Sequence, residues 1–310
     1  MEYIYGVDLG GTTVKMACFD QNGQCLHKWE IPTVTAEGGS RILPDIAKAI
    51  ETDMTQRDIC KEQVLGIGIG VPGPVSDAGV VNKCINLGWG VFNICQELST
   101  LTGVPVKAGN DATVAALGEC IHGGGKGAKN MVLVTLGTGV GGGMVIDGKI
   151  LSGSTGAAGE IGHLVLNPWE EALCGCGKKG CAEQYCSATG IVRLAKKALE
   201  QTDKNTPLRK ENLTCKDVFD AKDDPLAQEV LEQVYDYLAM LIANVCNTVN
   251  PETVVIGGGV SKAGDPLLEG IKNKFHKYVF HGAKDVTFAL ATLGNDAGIY
   301  GAMELIGKDQ

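Results

Sequence analysis

The feature that most restricts how this chain folds is a strand–turn–strand pattern that occurs twice in its 310 residues. In the first copy, apolar residues 3–7 and 14–19 flank the sequence Asp-Leu-Gly-Gly-Thr-Thr. In the second copy, Met131–Leu136 and residues 142–146 flank the turn Gly-Thr-Gly-Val-Gly. Apolar runs joined by a tight glycine turn are typical of paired strands. Because the pattern is repeated, we predict two related α/β halves that face one another.

The other apolar runs predict further strands and helices. Runs bounded by turn residues indicate strands, and apolar residues spaced three or four apart indicate helices. One predicted helix should end at Asn250, because Pro251 follows it. The predicted elements are strands over 25–31, Val64–Val71 and 254–256, and helices over 40–54, 231–245 and 297–306.

A chain of 310 residues allows one large domain or two domains of ordinary size. The glycine-rich stretch 122–129 favours a boundary near residue 120. We expect a smaller N-terminal α/β domain over 1–120, completed by a C-terminal helix over about 296–310, and a larger C-terminal α/β domain over 121–295 that contains a cysteine-rich element.

Composition and charge exclude several classes of protein. Apolar residues make up 44% of the chain and charged residues 20%, which is typical of a globular protein. Acidic residues outnumber basic residues by 36 to 27, so we expect neither nucleic acid nor an anionic membrane as a partner. The N-terminal sequence lacks the basic and apolar regions of a secretory signal, and we therefore expect a cytoplasmic protein.

Glycine is in clear excess, with 44 copies, or about 14% of the chain against a typical share of about 7%. A glycine turn lets backbone N–H groups approach an anion, which makes glycine turns after strands candidate phosphate sites. Two stretches match the dinucleotide fingerprint, beginning at Gly68 and at Gly137, but neither leads into a helix. A P-loop is rejected because Ile150 stands where the metal-binding hydroxyl is required.

The two glycine hairpins could hold a triphosphate from opposite sides, an arrangement similar to that of the actin and sugar-kinase superfamily. The first hairpin carries Asp8, Thr12, Thr13 and Lys15, and the second carries Thr138. Asp8 could hold Mg²⁺ through water, because this ion keeps several waters and uses only one or two carboxylates. The alternative is a pair of ordinary β-turns, with Asp8 as a turn-capping residue.

The most specific element combines His163 with the sequence Cys174-Gly-Cys176-Gly-Lys-Lys-Gly-Cys181. One imidazole and three thiolates form a ligand set of four-coordinate Zn²⁺, and the glycines permit the sharp turns that bring the sulfurs to one ion. Four protein ligands close the coordination shell, so the sequence predicts a structural zinc rather than one that activates water. Cys186 is predicted to take no part in this site.

Three carboxylates are candidates for the chemistry. Asp111 follows Asn110 at the end of a short apolar run, where α/β proteins place ligand-binding groups. Asp111 could be a catalytic base or, equally, the N-cap of a helix over 112–119. Glu160 and Glu183 flank the cysteine-rich element, which would hold both in fixed positions.

Taken in order, the motifs of the chain resemble those of the ROK family, which includes sugar kinases and sugar-responsive repressors, and they are most similar to its bacterial glucokinases. The motifs are DLGGTTVK at 8–15, GVPGPV at 70–75, NLGW at 86–89, NDA at 110–112, TLGTGVGGG at 135–143, GEIGH at 159–163, CGCGKKGCAE at 174–183 and VVIGGG at 254–259. They extend over most of the chain, and several independent motifs in one order make a chance match implausible.

The resemblance implies an α/β protein with a two-domain actin-like or hexokinase-type (ribonuclease H-like) fold and an active site in the cleft between the domains. It implies an ATP-dependent glucokinase in which Asp111 takes the proton from the 6-hydroxyl of glucose. The implied sugar-binding residues are Gly73, Asn86, Asn110, Asp111, Glu160, His163 and Glu183, and the implied zinc ligands are His163, Cys174, Cys176 and Cys181. The residues implied to bind ATP and its Mg²⁺ are Asp8, Gly10, Gly11, Thr12, Thr13, Lys15, Gly137, Thr138, Gly139, Gly141, Gly257, Gly258 and Gly259.

The resemblance leaves alternatives open. Within the kinases, N-acetylmannosamine, allose or fructose could be the substrate, and polyphosphate could replace ATP. Outside the kinases, the chain could be a silent sugar-binding protein or a repressor-like sensor, although family repressors carry a DNA-binding segment before the first phosphate strand, which begins here at about Tyr3. The resemblance also implies a homodimer or a homotetramer.

Overall fold

Two five-stranded sheets form the framework of the protein in a computed structural model, which describes residues 1–307. The strands of the first half are β1 (Tyr3–Leu9), β2 (Thr13–Asp20), β3 (Cys25–Pro32), β4 (Val64–Val71), β5 (Val80–Val81), β6 (Phe92–Asn93) and β7 (Val106–Asn110). The strands of the second half are β8 (Met131–Leu136), β9 (Val140–Ile146), β10 (Lys149–Ile150), β11 (Thr253–Gly257) and β12 (Thr287–Leu290).

Both large sheets have the same layout. The first has the order β3-β2-β1-β4-β7 and the second has the order β10-β9-β8-β11-β12, while β5 and β6 form a separate ribbon. In the first sheet β1, β2 and β3 are antiparallel, whereas β4 and β7 continue the sheet in parallel. In the second sheet β8, β11 and β12 are parallel. The repeated strand–turn–strand pattern therefore marks two halves built on one strand order, as predicted.

Nine of the ten described helices lie between these strands in the sequence, and the tenth follows β12. The ten helices are α1 (Ala36–Gly39), α2 (Ile42–Gln56), α3 (Ile94–Thr102), α4 (Asp111–His122), α5 (Glu183–Cys186), α6 (Ala188–Glu200), α7 (Cys215–Asp220), α8 (Pro225–Val249), α9 (Asp265–Phe275) and α10 (Ala297–Ile306). Helix α8 ends at Asn250, whose left-handed backbone closes the helix before Pro251. The C-terminal helix expected over 296–310 is present as α10, and residues 308–310 lie outside the described residues.

Helix α10 packs directly onto the first sheet at two of its glycines. A Cβ on Gly6 would lie 2.3 Å from the carbonyl oxygen of Ile299, and one on Gly68 would lie 1.7 Å from that of Ala302. Both distances are far below van der Waals contact, so only glycine allows the helix to approach this closely. Gly68 thus belongs to a helix–sheet contact, which explains why its fingerprint-like sequence is not followed by a nucleotide-binding helix.

Contacts group the chain into two compact units, and neither unit is continuous in sequence. Unit 1 contains Met1–Gly127, Gly143–Gly159 and the residues from Leu293 onward. Unit 2 contains Ala128–Gly142 and Glu160–Thr292. The division into domains at residues 120 and 295 stays a prediction. Among the residues described, no helix has the length and apolar character needed to cross a bilayer.

Candidate active site

The first glycine hairpin joins β1 to β2 and is held by the chain that follows β3. The N–H of Gly10 donates to the carbonyl of Thr13 (3.0 Å), which closes the turn. Thr33 holds the same turn from outside, because its hydroxyl donates to the carbonyl of Gly10 (2.7 Å) and its N–H donates to that of Thr12 (2.8 Å). The exposed residues Gly11 and Thr12 therefore stand on a backbone that is fixed on both sides.

Asp8 and Lys15 lie opposite each other at the base of the first hairpin. Burial raises the pKa of the Asp8 carboxyl, and the positive charge of Lys15 acts in the opposite direction. A single carboxylate beside a turn of exposed backbone fits Mg²⁺, which takes few protein oxygens and retains water. Asp8 is therefore suited to the role that the sequence predicted.

Asn110 and Asp111 stand where β7 ends and α4 begins. The side-chain oxygen of Asn110 accepts from the N–H groups of Ala112 (3.0 Å) and Thr113 (3.2 Å), so Asn110 is the N-cap. Its side-chain amide donates to the carbonyl of Gly73 (3.1 Å). Asp111 is the first residue of the helix and is half-buried. The N-cap role that the sequence left open for Asp111 thus belongs to Asn110, and the Asp111 carboxylate accepts from the N–H of Ala112 (2.8 Å).

The Gly73 turn has a second support that the sequence did not reveal. The thiol of Cys84 donates to the carbonyl of Pro72 (2.5 Å), and Gly73 has a φ of +135°, which favours glycine. Burial chiefly raises the pKa of the Cys84 thiol, and the charge of Asp111 adds to the shift. Asn86 lies two residues further along and is exposed, in a 3₁₀ turn over Ile85–Leu87 that is anchored by the buried Leu87. Four of the predicted sugar-binding residues therefore lie in unit 1: Gly73, Asn86, Asn110 and Asp111.

The second glycine hairpin joins β8 to β9 and is held by a carboxylate. The N–H of Gly137 donates to the carbonyl of Gly139 (3.0 Å), and Glu183 accepts the N–H of Val140 (3.0 Å). A Cβ on Gly139 would lie 2.2 Å from the same carboxylate oxygen of Glu183. Gly139 is therefore required for Glu183 to approach the hairpin. Gly141, another predicted ATP-binding residue, lies just after the turn on β9.

Helix α6 supplies a support that sequence reasoning missed. The N–H of Ala188 donates to the carbonyl of Gly137 (2.8 Å), and the hydroxyl of Thr189 donates to that of Thr138 (2.7 Å). Ser187 caps the helix by accepting the N–H of Gly190 (2.9 Å). The Ser187-Ala-Thr sequence before an apolar helix is the signal that could have predicted this cap.

The third glycine stretch, Gly257 to Gly259, lies beside the second hairpin. Strands β8 and β11 are parallel neighbours, so their carboxyl ends meet at one edge of the sheet. Gly258 has a φ of +83°, and a Cβ there would lie 2.5 Å from the carbonyl oxygen of Leu136. This close approach brings the predicted nucleoside loop and the predicted phosphate loop together.

The cysteine-rich element gathers the four predicted ligands. One ligand atom from each of His163, Cys174, Cys176 and Cys181 lies within 4.8 Å of all the others. The sulfurs of Cys176 and Cys181 are 3.6 Å apart, and the sulfur of Cys174 is 3.8 Å from Nδ1 of His163. With metal–sulfur bonds of about 2.3 Å, a tetrahedral zinc separates its ligands by about 3.8 Å, so the arrangement fits this ion. Cys186 is fully buried in α5 and does not join the group.

His163 and Glu160 share the short 3₁₀ turn next to this element. His163 directs Nδ1 toward the cysteines, whereas its Nε2 lies 4.0 Å from a carboxylate oxygen of the exposed Glu160. Glu183 is also near the cluster, with its second oxygen 3.7 Å from the sulfur of Cys174. The three predicted sugar-binding residues of unit 2 thus surround one candidate metal centre.

A buried polar network fixes the cysteine-rich element to α5 and α6 and was missed by sequence reasoning. Glu170 accepts from the hydroxyl of Tyr185 (2.6 Å) and from the guanidinium of Arg193 (3.0 Å). These contacts, with the Tyr185 hydrogen bond the strongest, lower the pKa of Glu170 to about 2. The same Arg193 lies over the ring of Tyr185. This network ties the cysteine-rich segment to the helix that supports the second hairpin.

The fold and these sites define an α/β protein of the actin-like or hexokinase type. The structure is similar to that of a ROK hexokinase from Thermus thermophilus, with a TM-score of 0.82, 31% identity and coverage of 98% of this chain and 97% of that chain. The ROK family model matches residues 4–309, and the chain belongs to the ROK family.

Two further relatives carry more specific names. A glucokinase from Halalkalibacterium halodurans is 46% identical over 98% of this chain and 95% of its own length. The crystal structure of a ROK family glucokinase from Streptomyces griseus in complex with glucose and AMPPNP is 30% identical, with a TM-score of 0.75 and coverage of 98% of both chains.

Proposed function

We propose that this protein is an ATP-dependent glucokinase that transfers a phosphoryl group to the 6-hydroxyl of glucose. The observation that carries the proposal is the setting of Asp111, whose carboxylate accepts the N–H of Ala112 at the start of α4 and whose neighbour Asn110 holds the Gly73 turn. Similarity to glucokinases over 98% of the chain supports the same reaction.

Asp111 is proposed to accept the proton of the sugar hydroxyl. The transition state of phosphoryl transfer is loose, so catalysis depends mainly on alignment and on electrostatic stabilisation. A carboxylate that is half-buried and fixed at a helix start is well suited to align one hydroxyl. General-base catalysis typically contributes about 10²–10⁴-fold to the rate.

The two hairpins are proposed to bind the phosphates of ATP through backbone N–H groups. Mg²⁺ bound with the nucleotide would neutralise part of the phosphate charge, and Asp8 is the residue that would hold its water shell. Thr12, Thr13 and Lys15 in the first hairpin, and Thr138 in the second, would supply further hydrogen-bond donors. The glycines at 257–259 would lie beside the nucleoside.

The hydroxyl groups of glucose are proposed to bind the residues that the family resemblance implies: Gly73, Asn86, Asn110, Glu160, His163 and Glu183. We propose Zn²⁺ for the Cys₃His cluster because its ligand atoms have the separations of a tetrahedral site. The zinc would hold Nδ1 of His163 and leave Nε2 for the sugar, which fixes the tautomer.

The reaction is tested by measuring ADP release with purified protein, ATP and Mg²⁺. We expect the highest kcat/KM with glucose when glucose, N-acetylmannosamine, allose and fructose are compared, since the ratio of these constants measures discrimination. Omission of sugar is the control for simple ATP hydrolysis, and polyphosphate in place of ATP tests the alternative donor. A higher kcat/KM with another sugar would reassign the substrate, and sugar binding without ADP release would replace the kinase by a sensor.

Cytoplasmic location and assembly into a homodimer or homotetramer stay predictions. Light scattering of the purified protein measures the number of copies directly. A mass of two or four times 32.4 kDa is the expected result.

A further inference from the structure

We infer that Gly298 is a positioning residue for the Asp8 carboxylate, an inference that rests on the proposed role of Asp8 in holding Mg²⁺ with ATP. Gly298 is the second residue of α10 and is buried. A Cβ built there would lie 2.5 Å from Cγ of Asp8, 2.7 Å from Oδ2 and 2.8 Å from Oδ1. The carboxyl group therefore occupies the space that any other side chain at position 298 would need.

Such a contact cannot be relieved by a small adjustment of Asp8. Rotation about χ2 exchanges the two oxygens but leaves the carboxyl carbon in place, and that carbon is the closest atom of the three. Relief requires another staggered χ1 rotamer, which moves the whole carboxyl group away from the base of the hairpin. The rotamer of Asp8 is thus determined by the absence of a side chain at position 298.

The surrounding contacts hold the start of α10 against the same hairpin. Lys15, the cross-strand partner of Asp8, donates to the carbonyl of Asn295 (3.2 Å). Lys28 forms an ion pair with Asp296 (2.6 Å). These contacts hold Asn295 and Asp296, the two residues before α10, and thereby the first turn of the helix. Withdrawal of α10 would break these contacts and would also expose Ile299 and Met303, which are buried against the first sheet, so we expect a methyl group at position 298 to displace Asp8 rather than the helix.

Helix propensity gives no other reason for glycine at this position. Within a helix, glycine is less favourable than alanine by about 1 kcal/mol. The backbone of Gly298 has an ordinary helical conformation, because its φ is not in the left-handed region. The contact with Asp8 is the feature of the residue that requires glycine.

The test compares Gly298→Ala, Asp8→Ala and the double variant with the wild-type protein. The affinity for Mn²⁺ in the presence of ATP is measured by the electron paramagnetic resonance of free Mn²⁺, so the readout does not depend on turnover. We expect Gly298→Ala to weaken Mn²⁺–ATP binding and to lower kcat about 10²-fold, the size of effect that a displacement of about 1 Å produces. Glucose binding, followed by calorimetry, should change by less than about twofold, since the sugar groups are unaffected.

The double variant separates positioning from packing. In the Asp8→Ala background the methyl group at position 298 meets no carboxyl group, so it should cause no further loss of Mn²⁺–ATP affinity. Gly66→Ala is the matched control, because its methyl group would press on Ile306 at the other end of α10 without contact to Asp8. This control should lower the melting temperature and keep the Mn²⁺–ATP affinity.

Two results would overturn the inference. One is unchanged Mn²⁺–ATP affinity in Gly298→Ala, and the other is an equal loss of affinity when the change is made in the Asp8→Ala background. Failure of the proposed function has a different signature, because the wild-type protein itself would then release no ADP with glucose.

Discussion

The two glycine hairpins are alike in sequence and in their place in the sheet, but they are supported in different ways. The first carries its own charged pair, Asp8 and Lys15, and rests on α10, whose Gly298 leaves room for the carboxylate. The second has only Gly137, Thr138 and Gly139 in its turn, and its carboxylate is Glu183, which arrives from α5.

Two halves built on the same strand order can therefore hold their glycine hairpins with different kinds of contact. The first hairpin carries a buried carboxylate at its base, and its support comes from α10 and the residues just before it. The second hairpin is arranged around backbone N–H groups, and its support comes from the cysteine-rich element and the start of α6. Each prediction below tests one side of this contrast.

The largest effect is expected from a change at Asp111. This residue lies outside both hairpins, so its loss of kcat is the reference for the effects expected at the hairpins. Asp111→Asn should retain glucose binding and lose about 10²–10⁴-fold in kcat, because the amide cannot accept the proton. Turnover and calorimetric glucose affinity are the two measurements. Asp265→Asn is the control, since Asp265 is likewise the first residue of a helix. Near wild-type turnover in Asp111→Asn would remove the residue from the role of base.

A large effect is also expected at Gly139 in the second hairpin. Gly139→Ala would push the Glu183 carboxylate from the N–H of Val140, so kcat/KM should fall by about 10²-fold for a shift of about 1 Å. Gly90→Ala is the control for stability, because Gly90 lies outside the predicted sites and a Cβ there meets nothing within 4 Å. If Gly139→Ala and Gly90→Ala had equal kcat/KM values, the carboxylate would not be what organises this hairpin.

An intermediate effect is expected from removing one cysteine of the candidate zinc site, which lies next to Glu183. Cys176→Ser should reduce zinc content, lower the melting temperature and weaken glucose binding by about 10–100-fold, since the ion holds the segment that carries Glu183. Metal analysis, calorimetry and thermal unfolding measure the three quantities. Cys60→Ser, at an exposed cysteine outside the cluster, is the control. Active wild-type protein without zinc would exclude this mechanism.

The smallest effect concerns the stability of the first hairpin. The pKa of Asp8 is raised by burial, so its contribution to stability is complete below the ordinary pKa of 3.8 and is lost as the pH rises through the folded-state value. Asp8→Asn should therefore raise the melting temperature at pH 7, because the amide carries no charge to bury, and should raise it by less at pH 4.

Thermal unfolding at the two pH values measures this difference. Thr138→Ala, in the uncharged turn of the second hairpin, is the control, and its change in melting temperature should be the same at pH 4 and pH 7. The change in melting temperature from wild type to Asp8→Asn should be more positive at pH 7 than at pH 4. The opposite order would contradict a raised pKa for Asp8. The expected gain comes with loss of Mn²⁺–ATP binding, so the charge that destabilises the first hairpin is the charge that the metal requires.

Local sequence patterns were sufficient to predict the hairpins, helices α2, α8 and α10 and the four clustered ligands, whereas α3, α6 and α9 were not predicted. Each of the predicted features depends on neighbours in sequence: apolar periodicity for α2 and α8, turn residues for the hairpins, and cysteine spacing for the ligands. The family resemblance added the order of the sites along the chain and with it the fold.

The supports of the sites could not be predicted, because their partners are distant in sequence. Nothing near Gly298 indicates that its missing side chain makes room for Asp8, and nothing near Arg193 indicates Glu170. The choice between a catalytic base and an N-cap for Asp111 was open because aspartate is a common capping residue. The hydrogen bonds of Asn110 decide it, since they reach both Ala112 and Thr113.

The position of α10 also bears on how the protein is made. A small core cluster joins Ile4 and Phe19, near the beginning of the chain, to Ile299 and Met303 in the last helix. During translation β1 and β2 leave the ribosome before α10, which follows every other described helix and strand in the sequence. One apolar face of the first sheet thus has no native cover until residues 297–306 have been synthesised. A ribosome that stalls before this point would hold a nascent chain with an exposed sheet, a natural target for chaperones.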